Sequence, residues 1–323
     1  MKLPKIGQNL QEQYDRKKNM GFRDFQEMIT EELQQIYGDM VEVVTDLVLK
    51  NNGTNYHGMY IFRKDSEYKA CPIINLDDVY EAFKDGVSLG DCVYGIYRTR
   101  GELNNQKEVE MIVERASDWG MVKNNVCPIL LSTEENRELL ENLVSVPMLD
   151  LSVVYSIRIE MHGRGTAGIK ISRKLLQSYG ISVEQLHEQA IKNLEKDGYK
   201  FRDMITILKD LGCQEIIEEA QGMFFRRMRM PEMYVLTNRA GTYGAAGILN
   251  KKLIQKFAGG RDFIILPSSM HETIFVPVSD YMDKHYCDEM VSEVNRTMVK
   301  AEERLTDHSY YYDAEADEIR ICA

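Results

Sequence analysis

Ile265-Leu266-Pro267-Ser268-Ser269-Met270-His271-Glu272 is an apolar run halted by proline and small polar residues, and a second β-rich run, Thr273 to Val276, follows it directly. An apolar run that stops at Pro and Ser reads as a strand entering a turn, so the segment predicts two strands and a tight connection. Upstream lie a strand Tyr234 to Asn238, the Gly-rich stretch Gly244-Ala245-Ala246-Gly247-Ile248 and an amphipathic helix ending at Phe257. Downstream a long helix spans about Asp280 to Val299, and a hairpin is formed by Ser309-Tyr310-Tyr311-Tyr312-Asp313 and Glu318-Ile319-Arg320-Ile321-Cys322. The predicted order of this lobe is ββαββα with a terminal hairpin.

The lobe has an echo earlier in the chain. Gly165-Thr166-Ala167-Gly168-Ile169 matches Gly244-Ala245-Ala246-Gly247-Ile248, and after a one-residue slip Ser172-Arg173-Lys174-Leu175-Leu176-Gln177-Ser178-Tyr179 matches Asn250-Lys251-Lys252-Leu253-Ile254-Gln255-Lys256-Phe257. Each copy follows a strand, Val153 to Ile159 in the first. Two related strand-strand-helix lobes are expected, from an internal repeat or from convergence on one supersecondary unit. Before the first copy, Ser132 with Glu135 has the form of a capping box opening a helix to about Val144, and Ser182 with Gln185 has the same form for a helix reaching Leu194.

Nearer the start, Phe22, Phe25, Met28, Ile29, Leu33 and Ile36 recur at helical spacing. Two β-rich runs, Val41 to Leu49 and Tyr56 to Phe62, flank Asn51-Asn52-Gly53-Thr54, whose residues tolerate positive φ; this is a hairpin. An acid of Asn75-Leu76-Asp77-Asp78 is expected to cap a helix from Val79 to Phe83, and helical patterning continues through Leu89 to Tyr97 and Val109 to Ala116. The fold class is therefore α+β. The expected parts are a flexible leader 1–19, an N-terminal helix plus small antiparallel sheet over 20–125, a first lobe over 126–225, and a second lobe with the terminal hairpin over 226–323.

The 323 residues are 44% hydrophobic and 9% aromatic, enough to build real cores. No run approaches the roughly 18 apolar residues of a membrane span, and Met1 to Asn9 lacks a signal-peptide centre, so a soluble cytoplasmic protein is expected. Six cysteines, Cys71, Cys92, Cys127, Cys213, Cys287 and Cys322, lie far apart and read as reduced thiols with no Cys-x-x-Cys clasp. A formal charge of −11 repels phosphate backbones and anionic membranes, which favours a protein partner over nucleic acid. The local exception is Met223-Phe224-Phe225-Arg226-Arg227-Met228-Arg229-Met230, where Arg226, Arg227 and Arg229 interleave with aromatics and methionines; it reads first as a helix with a Met/Phe core face and a solvated Arg face, and as the alternative it can stack on RNA or grip an acidic peptide.

Several pieces of the chain resemble a bacterial family known only as a domain of unknown function. They are Leu49-Lys50-Asn51-Asn52-Gly53 with His57-Gly58, Leu149-Asp150-Leu151-Ser152-Val153-Val154-Tyr155, Gly165-Thr166-Ala167, Tyr234-Val235-Leu236-Thr237-Asn238, Tyr243-Gly244-Ala245-Ala246, Ile265 to Glu272, and Asp307-His308. A second uncharacterised bacterial family is similar more remotely, through Leu186-His187-Glu188-Gln189-Ala190-Ile191-Lys192-Asn193-Leu194 and the strand entering Pro-Ser. The resemblance implies a bacterial cytosolic origin and brings no reaction, cofactor or partner.

Each chemical motif meets a structural reading. Gly163-Arg164-Gly165-Thr166-Ala167-Gly168 satisfies the dinucleotide pattern, but a strand follows it where a helix is required. The partner loop, Gly241 to Gly247, lacks the lysine of a phosphate loop; Lys251 and Lys252 are the natural charge partners if either loop holds phosphate. Ser269 as nucleophile, His271 as base and Glu272 as orienting carboxylate define a hydrolase reading, although neighbours along a strand alternate faces and no nucleophile elbow is present. Ser268 joins the three arginines as a candidate contact surface. No histidine pair has metal-ligand spacing, and His285 with Asp283 and Asp288 reads as a solvated helix face. Asp77 and Asp78 read as first-turn acids of a helix rather than an acid/base pair. No cofactor and no metal is expected. The leading expectation is a non-enzymatic binding or regulatory module, with the hydrolase and nucleic-acid readings as alternatives.

Overall fold

A computed structural model describes residues 20–65, 73–103, 106–161, 165–213, 232–279 and 284–322. The chain is an α+β protein whose described strands pair antiparallel in three sheets. It divides into two compact units, one of Met1–Lys50 with Thr54–Arg115 and one of Asn51–Gly53 with Ala116–Ala323. The expected leader, 1–19, lies outside the described residues. No described helix is long and apolar enough to cross a membrane.

The first unit is built around helix α1 (Phe22–Tyr37), which buries Phe25, Ile29 and Leu33 at four-residue intervals. Strands β1 (Val41–Leu49) and β2 (Asn55–Arg63) form the expected hairpin, with Val41 opposite Arg63 and Leu49 opposite Asn55. Strand β3 (Ile74–Asn75) adds to β2 and leads into helix α2 (Leu76–Lys84). The cap of α2 corrects the sequence reading. Asn75 is the last extended residue and its side chain accepts the Asp77 N–H at 3.1 Å, so the helix opens before the acids that were expected to cap it. Asp77 turns instead to His57, accepting its backbone N–H and facing Nδ1, each at 2.9 Å. Helix α3 (Leu89–Leu103) follows, then α4 (Gln106–Ser117), in whose last turn the second unit begins.

The second unit contains two sheets. After the short helix α5 (Trp119–Val122), strand β4 (Val126–Ser132) is buried at every position. Ser132 Oγ accepts the Glu135 N–H at 3.4 Å, yet the chain turns through 133–136 and helix α6 is confined to Arg137–Asn142, shorter than the capping pattern implied. Strand β5 (Ser145–Met148) turns through Leu149-Asp150 into the long β6 (Leu151–Met161). β4 pairs along one edge of β6, and β5 followed by β7 (Gly165–Lys170) occupies the other. Helices α7 (Arg173–Tyr179) and α8 (Val183–Leu194) follow, and the capping box at Ser182 and Gln185 is present in full.

The other sheet runs β13-β12-β10-β11-β9-β8. Its members are β8 (Lys200–Asp203), followed by helix α9 (Met204–Asp210), then β9 (Tyr234–Thr237), β10 (Phe263–Ser269), β11 (Glu272–Pro277), β12 (Tyr310–Asp313) and β13 (Glu318–Ile321). Helix α10 (Lys251–Ala258) precedes β10, and α11 (Lys284–Thr297) follows β11. β10 is covered on both faces: Phe263 and Ile265 join the main core, while Ile264 and Leu266 pack with Cys287 and Val291 of α11. That double burial explains its unbroken apolar run.

The internal match survives in its helices and fails in its strands. Ser172 caps α7 and Asn250 caps α10, each accepting an N–H three residues on at 3.1 Å, and both helices end at a left-handed glycine, Gly180 or Gly259. Gly165–Lys170 is a strand, whereas Gly244–Leu249 is a 3₁₀ helix, so the later lobe runs β-3₁₀-α-β-β-α and not ββαββα. The cause is close approach: a Cβ on Gly244 would lie 2.3 Å from His271 O and 2.4 Å from Thr237 Oγ1. The chain is folded down onto the end of β9 and the β10–β11 connection, an approach that only glycine permits. The two lobes also share one core, in which Val154 and Leu186 cluster with Leu236 and Phe263. The boundary expected near 225 lies outside the described residues.

Candidate functional site

The connection between β10 and β11 is held by hydrogen bonds that occupy its reactive groups. Ser269, 9% exposed, accepts the His271 backbone N–H on Oγ at 3.0 Å. The ring of His271 turns elsewhere. Its Nδ1 accepts the Tyr243 N–H at 3.2 Å, its plane stacks on the Tyr243 ring, and Nε2 faces Glu303 Oε1 at 3.7 Å. Glu272 opens β11 opposite Ser269 in register. The structure thus brings Ser269 and His271 together through the backbone, and it pairs the imidazole with Glu303 rather than with Glu272.

Pieces of sequence far apart converge around this connection. Met270 donates its N–H to Glu303 O at 2.8 Å, and Asn51 Nδ2 reaches Met270 Sδ at 3.7 Å and Glu302 O at 3.4 Å. Lys170 Nζ donates to Asn51 Oδ1 at 3.1 Å, and burial holds the lysine pKa below its ordinary value. In the β5–β6 turn, Asp150 accepts the hydroxyl of Tyr310, on β12, at 2.8 Å on one oxygen and faces His308 Nε2 at 2.9 Å with the other. Burial, then the Asp150 charge, pushes the Tyr310 pKa upward, so the phenol keeps its proton and donates. Each of these groups is satisfied by its neighbours, which is the arrangement of a structural network.

An open cavity of about 570 Å³ lies on the second unit. Its apolar wall includes Leu149 from the β5–β6 turn, Ile191 from α8, Leu249 and Ile254 around the start of α10, and Ile319 from β13. Its polar groups come from the same elements: His187 on α8 and Glu195 at its C-cap, Lys251 and Lys252 in the first turn of α10, and Asp317 with Glu318 at the start of β13. Lys252 is paired with Glu195 at 3.0 Å, while Lys251 is exposed and has no ion-pair partner among the described residues. Tyr312 donates to Asp317 Oδ1 at 2.8 Å; burial and then Asp317 push its pKa up to about 12.

His187 is the most constrained of these groups. Its Nδ1 lies 2.8 Å from the hydroxyl of Tyr155, a fully buried phenol whose pKa burial raises. Tyr155 keeps its proton, and among the described residues His187 Nδ1 is the acceptor for it. That assigns the ring proton to Nε2. Burial also holds the His187 pKa below its ordinary value against an opposing contribution from Glu188, so the ring is a neutral N–H donor. Leu149 adds a different constraint, because it occupies the left-handed region (φ 55) and is 44% exposed. A branched side chain there is strained by about 1–2 kcal/mol.

The remaining sequence candidates are dispersed. Arg226, Arg227 and Arg229 lie outside the described residues. Ser268 lies in β10 beside Ser269. His285 faces Glu289 at 3.3 Å, while Asp288 Oδ1 accepts both the N–H and the hydroxyl of Ser309 at 2.7 Å. Among the described residues no three His, Cys, Asp or Glu side chains gather as a metal site requires. Five described cysteines are free thiols, and burial followed by Asp91 pushes Cys92 up to about 11.

A family model described as a family of unknown function, DUF5688, matches residues 22–314. No curated protein and no solved structure matches the chain.

Proposed function

Because the chain belongs to this family of unknown function, its role has to be read from its own site, and we propose a non-enzymatic binding module that holds a small amphipathic ligand in the cavity. The carrying observation is the cavity itself, about 570 Å³, lined by apolar side chains together with His187 and the charged groups of Glu195, Lys251, Lys252, Asp317 and Glu318. Ligand pockets typically enclose about 300–1,000 Å³ and are built this way, with apolar surface supplying affinity and sparse polar groups fixing orientation. The hydroxyl and imidazole nearest to a catalytic pattern, Ser269 and His271, are each engaged in holding the chain. The acidic composition fits a freely diffusing bacterial cytoplasmic protein that recognises a ligand or a protein segment.

The test is a fluorescence titration with anilinonaphthalene sulfonate, an apolar body carrying one anion. The native protein is expected to bind it saturably. Ile191→Trp, which fills the wall from a half-buried helix position, is expected to weaken binding at least about tenfold while the unfolding midpoint is retained. Undiminished binding by a folded Ile191→Trp protein overturns the proposal.

A further inference from the structure

We propose that the occupant of the cavity is the C-terminal end of an extended polypeptide, which adds to the outer edge of β13 and presents its terminal carboxylate to Lys251 and His187. This rests on the cavity reading and adds the identity of the ligand. β13 is the last strand of its sheet; it pairs with β12 from Glu318 to Ile321, and no described strand pairs with its other edge. A strand edge of this kind offers unpaired N–H and C=O groups that an extended chain can complete. Of the two charged side chains on β13, Glu318 and Arg320, the longer one is turned back from the edge. Arg320 lies with its guanidinium 4.8 Å from the Tyr311 ring and 3.4 Å from Asp313, drawn onto its own hairpin.

The same strand supplies the cavity wall. Glu318 and Ile319 line it, so a chain laid along β13 passes the cavity and can turn a side chain into it. An apolar last residue would bury against Ile191, Leu249 and Ile254. The charges orient the chain. Lys251 lacks an ion-pair partner among the described residues, and with Lys252 it sits in the first turn of α10, where the helix dipole already favours an anion. His187 adds a neutral N–H donor. Asp317 and Glu318 lie on the β13 side, where they suit a basic residue upstream of the carboxylate. A free amphipathic acid would satisfy Lys251 and leave both the strand edge and the Glu318 carboxylate without a ligand contact.

Calorimetry on the full chain distinguishes these cases with the pentapeptide Lys-Val-Lys-Val-Leu as free acid, as C-terminal amide, and with alternate backbone amides methylated. The free acid is expected to bind, amidation and backbone methylation are each expected to weaken it about tenfold or more, and Lys251→Glu is expected to abolish the preference for acid over amide. Equal binding of acid and amide, or of the methylated and parent peptides, overturns the inference. So does octanoate competing as well as the peptide, which would make the occupant a small acid. If the sulfonate dye binds in an Ile191-dependent manner and no peptide does, the cavity reading stands and this inference falls. If neither binds, both fall.

Discussion

Asn52 and Asn136 clasp each other at two points: the Asn52 N–H donates to Asn136 Oδ1 at 2.8 Å, and Asn136 Nδ2 donates to Asn52 Oδ1 at 2.6 Å. Asn136 is 2% exposed, and Asn52 sits in the left-handed region (φ 56) that asparagine tolerates better than most residues. The Asn52 amide nitrogen also donates to Ala301 O and Arg304 O at 2.7 and 2.8 Å. Its place in the network therefore depends on carrying a donor and an acceptor on one short side chain.

Asn52→Asp, which also mimics deamidation at this Asn-Gly step, replaces that donor by an anion facing two carbonyl oxygens. It is expected to destabilise the second unit by about 2–4 kcal/mol, more than Asn52→Gly, which removes the side-chain bonds without adding repulsion. Trp119, the one tryptophan of the chain, lies in the second unit and reports its denaturant unfolding. A Trp119 midpoint for Asn52→Asp at or above that of Asn52→Gly would contradict this account.

Leu149 trades stability for an apolar surface at the cavity. Its left-handed conformation suits asparagine, and the residue stays 44% exposed, so part of its apolar surface remains open to solvent. Leu149→Asn is expected to raise stability by about 1 kcal/mol and to weaken dye binding several-fold, since the lost leucine surface lines the cavity. Unfolding midpoints and dye titrations on the same preparation measure the two effects. Their moving in the same direction would sink the idea.

The pH dependence follows from His187. Burial holds its folded pKa below the ordinary 6.5, so near pH 6 the unfolded chain takes up the proton more readily than the folded one. The stability from the neutral ring is complete above 6.5 and is lost as pH falls through the interval between the unfolded and folded values. Between about pH 7.5 and pH 5.5, wild type is expected to lose more of its Trp119 midpoint than His187→Gln, which lacks this ring alone. Identical slopes for the two proteins would show that the ring is not held neutral.

What could be read in advance was local. The capping box at Ser182 and Gln185, the four-residue spacing of Phe25, Ile29 and Leu33, and the Asn51-Asn52-Gly53 turn are decided by neighbours within a few residues, and each is present. The Gly165 and Gly244 stretches show the limit. Near-identical residues form a strand in one place and a 3₁₀ helix in the other, because Gly244 is pressed against His271 O and Thr237 Oγ1, contacts made by residues on both sides of it in sequence. The cavity is a further step away. Lys251 and Lys252 stood out as charge partners for a phosphate loop, but the wall they share with His187, Leu149 and Ile319 is assembled by the sheet and helices, and no periodicity announces it.

Gly244 itself gives a packing test. Gly244→Ala places a methyl within 2.3 Å of the His271 carbonyl, and backbone on that side cannot swing away as a flexible side chain would. The substitution is expected to cost about 2–4 kcal/mol and to disturb the Tyr243 N–H to His271 Nδ1 bond next to it. A Gly244→Ala protein as stable as wild type would mean that the approach of the 3₁₀ segment to the β10–β11 connection is looser than these distances state.

Ser269 separates structure from catalysis. Its hydroxyl accepts the His271 N–H in a nearly buried turn, so Ser269→Ala leaves that N–H without its acceptor and is expected to cost about 1–3 kcal/mol. A nucleophile would instead show its loss in turnover. Hydrolysis of nitrophenyl esters by wild type and Ser269→Ala is expected to be indistinguishable once both are folded, and Ser269→Thr, which keeps the acceptor, is expected to recover part of the lost stability. The His271 imidazole supports the same expectation, since its Nδ1 is occupied by Tyr243 and its Nε2 faces Glu303, leaving no ring nitrogen directed at Ser269 Oγ among the described contacts. Ester turnover that disappears in a stably folded Ser269→Ala protein would return catalysis to this turn and displace the binding role proposed for the chain.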